Sequence, residues 1–555
     1  MSITRTLLRP LAFVAGKHAE KQLNMWLSAH GRTREVQQKL LAELLAAGAE
    51  TTFGRDHGLG KVGGYEEFKS AVPVRNYEQL KGYFNSVFEG DYTALLPPGE
   101  PPLMFSLTSG TTGEPKRIPV TARFAADMKR GWNVWGVRAL LDHRRAWLRP
   151  ILQITSSTRD QLSPTGLPCG AISGLLANQQ KRIVRRMYAT PKQVHELTDP
   201  PARCYVTLRC AAERDVAMIT TANPSSTIQL IETGRQYLPQ LLRDIAEGTC
   251  TPPGQPDAGI IDSLRFRPNR RLAGRIESSV NADGVLLPRH LWNVEILANW
   301  TGGTLGLYLP RLREMFEGAC LRDIGLLASE GRFSIPLQDD TPAGVAEITA
   351  NFLEFVPAGQ HGQDNPDALP AWEAEVGSEY FLVVTNRAGL WRYDIGDRVR
   401  VVDRYGHSPV FEFLSRDAHT ANITGEKLTE HQVVEAMRRA SRKCGRDIQR
   451  FWLQGRFADT PYYELRVERM ESATPDAEAQ RLAATLDEEL SEVNIEYASK
   501  RKSGRLGPVR AVLLPPGEMA RTEAERIRQR GGRSEQYKHQ YLLTEVLGAA
   551  GDRDT

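Results

Sequence analysis

A stretch of hydroxyl and glycine residues in the first quarter of the chain has the composition of a phosphate-binding loop. It contains Thr108, Ser109, Gly110, Thr111, Thr112 and Gly113, and Lys116 follows. In such a loop, backbone N–H groups and hydroxyls donate to phosphate oxygens, and the ammonium group offsets negative charge. A P-loop needs lysine directly after its last glycine, whereas Glu114 and Pro115 stand there. The pattern therefore predicts a phosphate site that is not of the P-loop kind.

Two later segments carry carboxylates next to residues that favour tight turns. One is Leu327-Ala328-Ser329-Glu330-Gly331 and the other is Trp391-Arg392-Tyr393-Asp394-Ile395-Gly396-Asp397. Together with the loop, and in this order, they resemble the motifs of the acyl-adenylate-forming superfamily. The resemblance implies that Ala328 and Ser329 lie against adenine, that Glu330 holds Mg²⁺ and that Asp397 binds the ribose hydroxyls.

Within that superfamily, the details resemble the auxin-responsive (Gretchen Hagen type) acyl-acid amido synthetases. The resemblance covers nearly the whole chain and includes residues 301–312 (TGGTLGLYLPRL), 422–429 (NITGEKLT) and the C-terminal Gln536-Tyr537-Lys538. Two departures from the pattern of this family leave open the alternative that the chain is a thioester-forming relative. Asp394 stands where the plant motif commonly has arginine, and the first loop is closer to the general superfamily form.

The implied chemistry assigns roles to a few charged groups. A carboxylate is a poor electrophile, and its attack on the α-phosphate of ATP brings two anions together, which calls for cations there. The resemblance implies Mg²⁺ on Glu330 and the ammonium of Lys538 as these cations, with Arg416 reaching the nucleotide. The implied cofactors are ATP and Mg²⁺.

A second segment competes with Lys538. Residues 499–505 (SKRKSGR) resemble the serine, glycine and lysine signature near the end of acyl-CoA ligases, although Arg505 stands where their lysine would be. The Gln-Tyr-Lys segment, with Gly531 and Gly532 before it, matches the amido synthetases better. Lys538 is therefore the predicted catalytic lysine.

Composition excludes several classes of protein. The chain has 555 residues and a net charge of +4, which does not indicate a nucleic-acid or anionic-membrane partner. No run of about 18 apolar residues is free of charge, so no membrane span is expected. The six cysteines include no Cys-x-x-Cys pair and show no zinc spacing with a histidine. We expect a cytoplasmic protein, and a monomer is favoured although its oligomeric state stays open.

The element pattern predicts a mixed α/β (α+β) fold with two domains. Residues 1–416 would form a large adenylate-forming domain with β-sheets and a β-barrel-like region, which binds ATP and the acyl acid. Residues 417–555 would form a small, mobile α+β domain that carries the catalytic lysine. Specific elements are predicted as helices at 33–47, after 121, at 429–443 and from 475, and as strands at 103–107, within 378–415, at 448–457, 462–470 and 509–516.

These observations predict an ATP-dependent ligase that adenylates a small carboxylic acid and transfers the acyl group to an amine, expected to be an amino acid. Within enzymes, the alternative is an acyl-CoA or acyl-carrier ligase with a thiol acceptor. Outside enzymes, it is an inactive relative that acts as a binding protein. The intact loop, Glu330, Asp397 and Lys538 argue against that last alternative, because an inactive relative has no physical need for all four.

Overall fold

The computed structural model describes most of the chain. The described residues are 16–17, 19–108, 116–154, 161–172, 175, 185–416, 420–421, 423–424, 426, 428–458, 460–469, 474–529 and 539–547. The chain divides into two compact units. The larger comprises residues 1–301, 310–395 and 399–413, and the smaller comprises 302–309, 396–398 and 414–555.

Amphipathic helices cover the sheets of the larger unit. The helix Thr33–Gly48 buries Leu40, Leu41, Leu44 and Leu45 on one stripe, as the predicted helix at 33–47 requires. Each fully buried leucine contributes about 1.5–3 kcal/mol. Other α-helices that begin in this unit are Thr52–Asp56, Tyr65–Ala71, Tyr77–Glu89, Ala122–Asp142, Pro200–Ala212, Pro224–Gln236, Leu238–Glu247, Ala258–Ser263, Arg270–Asp283 and Pro288–Leu291, and residues 19–29 are also helical. The short helix Leu309–Met315 begins at Leu309, the last residue of a segment of the smaller unit, and its other residues belong to the larger unit.

Two four-stranded sheets lie in the larger unit. In the first, the described strands follow the order Lys116–Thr121, Pro102–Thr108, Pro168–Gly170, Gln161–Leu162. The second is parallel, in the order Ile151–Gln153, Met218–Thr220, Ile296–Asn299, Cys320–Asp323. Most residues of its strands are buried, as expected for a parallel sheet.

A seven-stranded sheet follows in the second half of the chain. Its described strands are ordered Ser334–Ile335, Gly344–Ala346, Ser408–Arg416, Leu390–Tyr405, Glu379–Asn386, Asn351–Pro357, Leu369–Pro370. This open order occupies the place of the predicted β-barrel-like region, and no closed barrel forms among the described strands. A separate two-stranded pair joins Leu327–Ala328 to Gly331–Arg332.

The smaller unit has its own sheet and its own core. The sheet order is Arg510–Leu514, Tyr462–Glu468, Trp452–Arg456, Leu542–Leu547. The helices Glu430–Cys444 and Pro475–Val493 share a buried cluster that includes Met437, Leu482 and Leu486. Ile495–Lys502 and Glu518–Gln529 complete the described helices, and Thr420–Ala421 pairs with Leu428–Thr429. The mixed α/β fold with a large N-terminal part and a smaller C-terminal part is confirmed.

Seven 3₁₀ turns connect described elements: His30–Arg32, Leu59–Lys61, Tyr92–Ala94, Arg144–Ala146, Lys192–Glu196, Gly303–Tyr308 and Ala358–Gln360. Among the described helices, none combines the length and apolar character needed to cross a membrane.

Candidate active site

The predicted phosphate loop begins and ends on a pair of antiparallel strands. Pro102–Thr108 pairs with Lys116–Thr121 so that Thr108 stands opposite Lys116. Ser109, Gly110, Thr111, Thr112 and Gly113 lie outside the described residues. The described strands thus place the two ends of the loop side by side, next to the helix Ala122–Asp142, which Thr121 caps by accepting a hydrogen bond from the Phe124 N–H.

Lys116 connects the loop with the third motif. Its Nζ donates to the Tyr393 hydroxyl at 3.2 Å and lies 5.7 Å from the ring centroids of both Tyr77 and Tyr393. The hydrogen bond to Tyr393 and the cation–π contact with Tyr77 together fix the position of the ammonium. Residues 277 positions apart in the sequence meet here.

Ser106 connects the same strand with the second motif. Its buried Oγ donates to the Oγ of Ser329 at 2.7 Å. Ser329 follows Ala328, which pairs with Gly331 across the two-stranded turn. The strand before the phosphate loop therefore holds the predicted adenine-contacting segment directly.

Glu330 lies at the tip of that turn and is 3% exposed. Its backbone carbonyl accepts a hydrogen bond from Asn386 Nδ2 at 2.8 Å, and the same amide donates to Asn351 Oδ1 at 3.0 Å. In the described part of the chain, the Glu330 carboxylate has no hydrogen-bond or ion-pair partner. Carboxylate oxygens are ligands that Mg²⁺ prefers, so the type of this side chain fits the predicted metal role.

Arg332 is a positioning residue that the sequence analysis missed. It is 2% exposed, donates from Nη1 to the Ile324 carbonyl at 2.8 Å and places its guanidinium 4.3 Å from the Trp132 ring centroid. Burial lowers the pKa of Arg332 to about 10. A Cβ on Gly131 would lie 2.5 Å from Arg332 Cδ, so the absence of a side chain at position 131 leaves room for Arg332. The helix after the phosphate loop is thereby packed against the second motif, by a contact that leaves no local sequence signal.

The third motif is anchored by a buried ion pair. Arg392 is 1% exposed and Glu354 is fully buried, and Arg392 Nε donates to the two Glu354 carboxylate oxygens at 3.1 and 3.0 Å. Arg392 Nη1 also donates to the Val72 carbonyl at 2.8 Å. The backbone of Arg392 has a φ of +40°, an unfavourable value for a non-glycine residue that these bonds hold in place. The strained residue sets the position of Tyr393, the partner of Lys116.

Asp394, the departure from the plant motif, has a local partner. Its carboxylate lies 2.7 Å from Nε2 of His361, which stacks on Phe381 with ring centroids 3.5 Å apart. In this chain, position 394 thus belongs to a carboxylate–imidazole pair.

Asp397 and Arg416 form a pair within the smaller unit. Arg416 Nε donates to Asp397 Oδ1 at 2.7 Å. The Asp397 side chain is 2% exposed and the Arg416 side chain 35%. Gly396, with a φ of +75°, supplies the turn before the aspartate. The structure therefore brings together the two residues predicted to bind ribose and to reach the nucleotide.

Lys538 lies outside the described residues, as do Gln536 and Tyr537. The chain is described again from His539, which is 7% exposed and donates from Nε2 to the Phe451 carbonyl at 2.9 Å. The strand Leu542–Leu547 then pairs in parallel with Trp452–Arg456. The competing segment lies on the end of the helix Ile495–Lys502 and the turn after it, where the Arg505 N–H donates to the Lys500 carbonyl.

This fold also occurs in solved structures of acyl acid amido synthetases. The structure titled "AtGH3.15 acyl acid amido synthetase in complex with 2,4-DB" superposes with a TM-score of 0.81 at 20% identity and covers 96% of this chain and 94% of that one. At this identity the likeness establishes the fold alone.

Family models cover most of the sequence. The GH3 family N-terminal domain matches residues 24–321, the central domain 345–416 and the C-terminal domain 431–546. The chain belongs to the GH3 family, which confirms the resemblance drawn from the motifs. Among its relatives is the indole-3-acetic acid-amido synthetase GH3.4 of Arabidopsis thaliana, 25% identical over 91% of this chain and 88% of the relative. Another is the jasmonoyl-L-amino acid synthetase JAR4 of Nicotiana attenuata, 24% identical over 74% of this chain and 73% of the relative.

Proposed function

We propose that this protein is an ATP-dependent acyl-acid amido synthetase. A carboxylate oxygen of the acid attacks the α-phosphorus of ATP and displaces pyrophosphate. An amine, expected to be that of an amino acid, then attacks the acyl carbon, and AMP leaves as the amine loses a proton. Support comes from GH3 family membership across three domain models and from relatives named as amido synthetases.

The observation that carries this proposal is the contact between motif segments far apart in sequence. Ser106 bonds Ser329, and Lys116 bonds Tyr393, so the phosphate loop's two flanking strands each contact one of the other two motifs. Separate structural roles for three such segments would not require these contacts. A single nucleotide site brings such segments close together, because phosphate, base and ribose are connected.

Roles for the individual residues follow from the motif each occupies. We infer that Thr108, Ser109, Gly110, Thr111, Thr112, Gly113 and Lys116 bind the phosphates and that Ala328 and Ser329 lie against adenine. Asp397 would accept hydrogen bonds from ribose hydroxyls, and the hydrogen bond from Arg416 would hold its carboxylate in position. The long Arg416 side chain is one third exposed, and its guanidinium would reach a phosphate by rotating away from Asp397.

Mg²⁺ fits Glu330, because a carboxylate is the ligand type that Mg²⁺ prefers and this one has no partner among the described residues. Bound there, the ion would neutralise charge on the α-phosphate. Glu330 would keep its place through the Asn386 bond to its own carbonyl.

For Lys538 we propose a role in the first half-reaction. Its ammonium would offset the negative charge that builds up when carboxylate and α-phosphate meet. We also propose that residues 1–416 hold the nucleotide and the acid, and that residues 417–555 move between the two half-reactions. The cytoplasmic location and the preference for a monomer stay predictions from the sequence.

Product analysis tests the proposed function. The purified protein is assayed for pyrophosphate release with a panel of small carboxylic acids, and each active acid is then incubated with amino acids or coenzyme A before mass spectrometry. We expect acid-dependent pyrophosphate and an amide. A coenzyme A thioester without amide would establish the thiol-acceptor alternative, and no acid-dependent pyrophosphate from a broad panel would favour a binding protein.

A further inference from the structure

Three side chains that could bind a metal lie close together in the larger unit, and none of them belongs to the three motifs. They are His143, Cys320 and Asp339, whose ligand atoms all lie within 4.8 Å of one another. Cys320 Sγ is 3.2 Å from His143 Nε2, and His143 Nε2 is 2.8 Å from Asp339 Oδ2. The imidazole and the carboxylate are 21% and 27% exposed, so an ion can reach them from solvent.

Two of the three ligands lie at the end of an ordered element. His143 directly follows the helix Ala122–Asp142, and its N–H donates to the Ala139 carbonyl. Cys320 is the first residue of the strand Cys320–Asp323, whereas Asp339 lies in a bend further along the chain from the short strand Ser334–Ile335. The helix end and the strand bring His143 and Cys320 together without any metal.

Arg322 orients the aspartate from behind. This arginine is 1% exposed, and its Nε donates to Asp339 Oδ1 at 2.5 Å. Its Nη2 donates to Asp142 Oδ2 at 2.6 Å, which offsets the guanidinium charge. Oδ2 of Asp339 is thereby left facing His143, in the manner of hydrogen-bonded carboxylates that ligate metals.

The geometry does not fit a nucleophilic triad. In a triad, the imidazole contacts the nucleophile with one ring nitrogen and the carboxylate with the other. Here, the sulfur and the carboxylate oxygen both contact Nε2. Three ligand atoms that meet at one point are instead the pattern of a cation site with an open fourth position.

We propose that His143, Cys320 and Asp339 bind Zn²⁺, or a divalent cation with the same preference for sulfur and nitrogen ligands, with water as the fourth ligand. Neighbouring ligand atoms in a tetrahedral Zn²⁺ site are about 3.3–3.6 Å apart, given bonds of roughly 2.0–2.3 Å. The observed contacts of 3.2 and 2.8 Å have to open by only about half an ångström. The thiol proton leaves to solvent on binding, and the thiolate and the carboxylate together balance the dication.

This site differs in chemistry from the one proposed at Glu330. Mg²⁺ takes oxygen ligands, whereas a thiolate and an imidazole select Zn²⁺ or its neighbours. Sequence spacing could not predict the cluster, because 177 residues separate His143 from Cys320. Binding would tie the end of the helix that follows the phosphate loop to the strand Cys320–Asp323.

Optical titration tests the proposal. The full chain is stripped with a chelator and titrated with Co²⁺, which reports a thiolate ligand by charge-transfer absorption. We expect one equivalent of Co²⁺ with that absorption, displaced by Zn²⁺. Cys320→Ser should abolish the absorption, and Asp339→Asn should weaken binding by more than about a hundredfold. The matched control is Cys250→Ser, another half-buried cysteine, which should leave the titration unchanged.

A second measurement needs no variant. Alkylation of the wild-type protein, followed by peptide mass spectrometry, should show that Zn²⁺ slows modification of Cys320 and leaves Cys250 unaffected. Wild-type protein without thiolate-to-cobalt absorption, absorption that persists in Cys320→Ser, or equal alkylation of Cys320 with and without Zn²⁺ would each overturn the site.

Discussion

Glu330 is the residue on which the proposed metal role depends. Glu330→Gln keeps the size of the side chain and removes the charge that would bind Mg²⁺. We expect acid-dependent pyrophosphate release to fall by about a hundredfold or more, with a higher Mg²⁺ concentration needed for half-maximal rate. The control is Glu412→Gln, which changes a half-buried carboxylate of the larger unit outside the three motifs. Equal rates and equal Mg²⁺ dependence in Glu330→Gln and wild type would contradict the assignment.

The Asp397–Arg416 pair tests nucleotide binding at the residue scale. Asp397→Asn removes the charge of a carboxylate that is 2% exposed and bonded to Arg416 at 2.7 Å. The Asp397 carboxylate would bind ribose in both the ground state and the transition state. We therefore expect that in Asp397→Asn the KM for ATP rises about tenfold to a hundredfold while kcat changes little. Steady-state kinetics with Asp397→Asn, Arg416→Met and the double variant would show non-additive effects. A KM for ATP that stays at the wild-type value in Asp397→Asn would rule out the ribose role.

Lys538 carries a prediction about the two half-reactions. Lys538→Ala should slow adenylation, measured as pyrophosphate release, far more than amide formation from a supplied acyl-adenylate. The reason is that two anions meet only in the first step. Arg505→Ala is the matched test of the competing segment and should leave both steps near wild type. Equal loss in both half-reactions of Lys538→Ala would contradict the role given to this lysine.

At the scale of elements, the sequence predicted most of what local pattern controls. The helix predicted at 429–443 spans Glu430–Cys444, and Thr429 caps it through a capping box with Gln432. Pro475 begins the next long helix, and the predicted strand at 103–107 lies within Pro102–Thr108. The spacing of apolar residues along a helix, the capping residues and the alternation of apolar and polar residues in a strand are local features of the sequence. They can therefore be recognised without knowledge of the fold.

What the sequence could not predict are the contacts between elements. The three motifs were visible as separate segments, but the Ser106–Ser329 and Lys116–Tyr393 contacts join residues 223 and 277 positions apart. The Arg332–Trp132 stack and the cluster of His143, Cys320 and Asp339 leave no spacing signal either. Such contacts depend on tertiary packing, which no local pattern encodes.

The Arg392–Glu354 pair predicts the stability of the element that carries the third motif. Glu354→Gln leaves a buried guanidinium without its counter-charge, which typically costs about 3–5 kcal/mol in the free energy of unfolding. Chemical denaturation of the variant should show a loss of this size. Glu379→Gln is the matched control, because it breaks the more exposed pair with Arg400 and should cost less than about 1 kcal/mol. Similar losses in the two variants would show that the buried pair does not hold the motif.

At the scale of the whole molecule, His30 predicts how stability depends on pH. Burial lowers the pKa of His30 from 6.5 to about 4. The ring is fully buried, with Nδ1 2.8 Å from Ser408 Oγ. Since the unfolded chain takes up a proton below pH 6.5 and the folded chain only near pH 4, this contribution to stability is complete above pH 6.5 and is lost as the pH falls toward 4.

Denaturation curves at pH 7 and pH 4.5 measure this effect. Wild type should lose about 2–3 kcal/mol from His30 over this interval, and His30→Asn, which does not titrate, should lose correspondingly less. An identical pH dependence in the two proteins would show that His30 is not the group responsible.

The most direct test of the central claim follows an oxygen atom through the reaction. An accepted acid labelled with ¹⁸O in its carboxylate is incubated with ATP and the amine, and the phosphorus-containing products are analysed by mass spectrometry. If a carboxylate oxygen attacks the α-phosphate and the acyl–oxygen bond later breaks, AMP carries one ¹⁸O and pyrophosphate carries none. Label in inorganic phosphate with ADP as the other product, or unlabelled AMP, would contradict an acyl-adenylate mechanism.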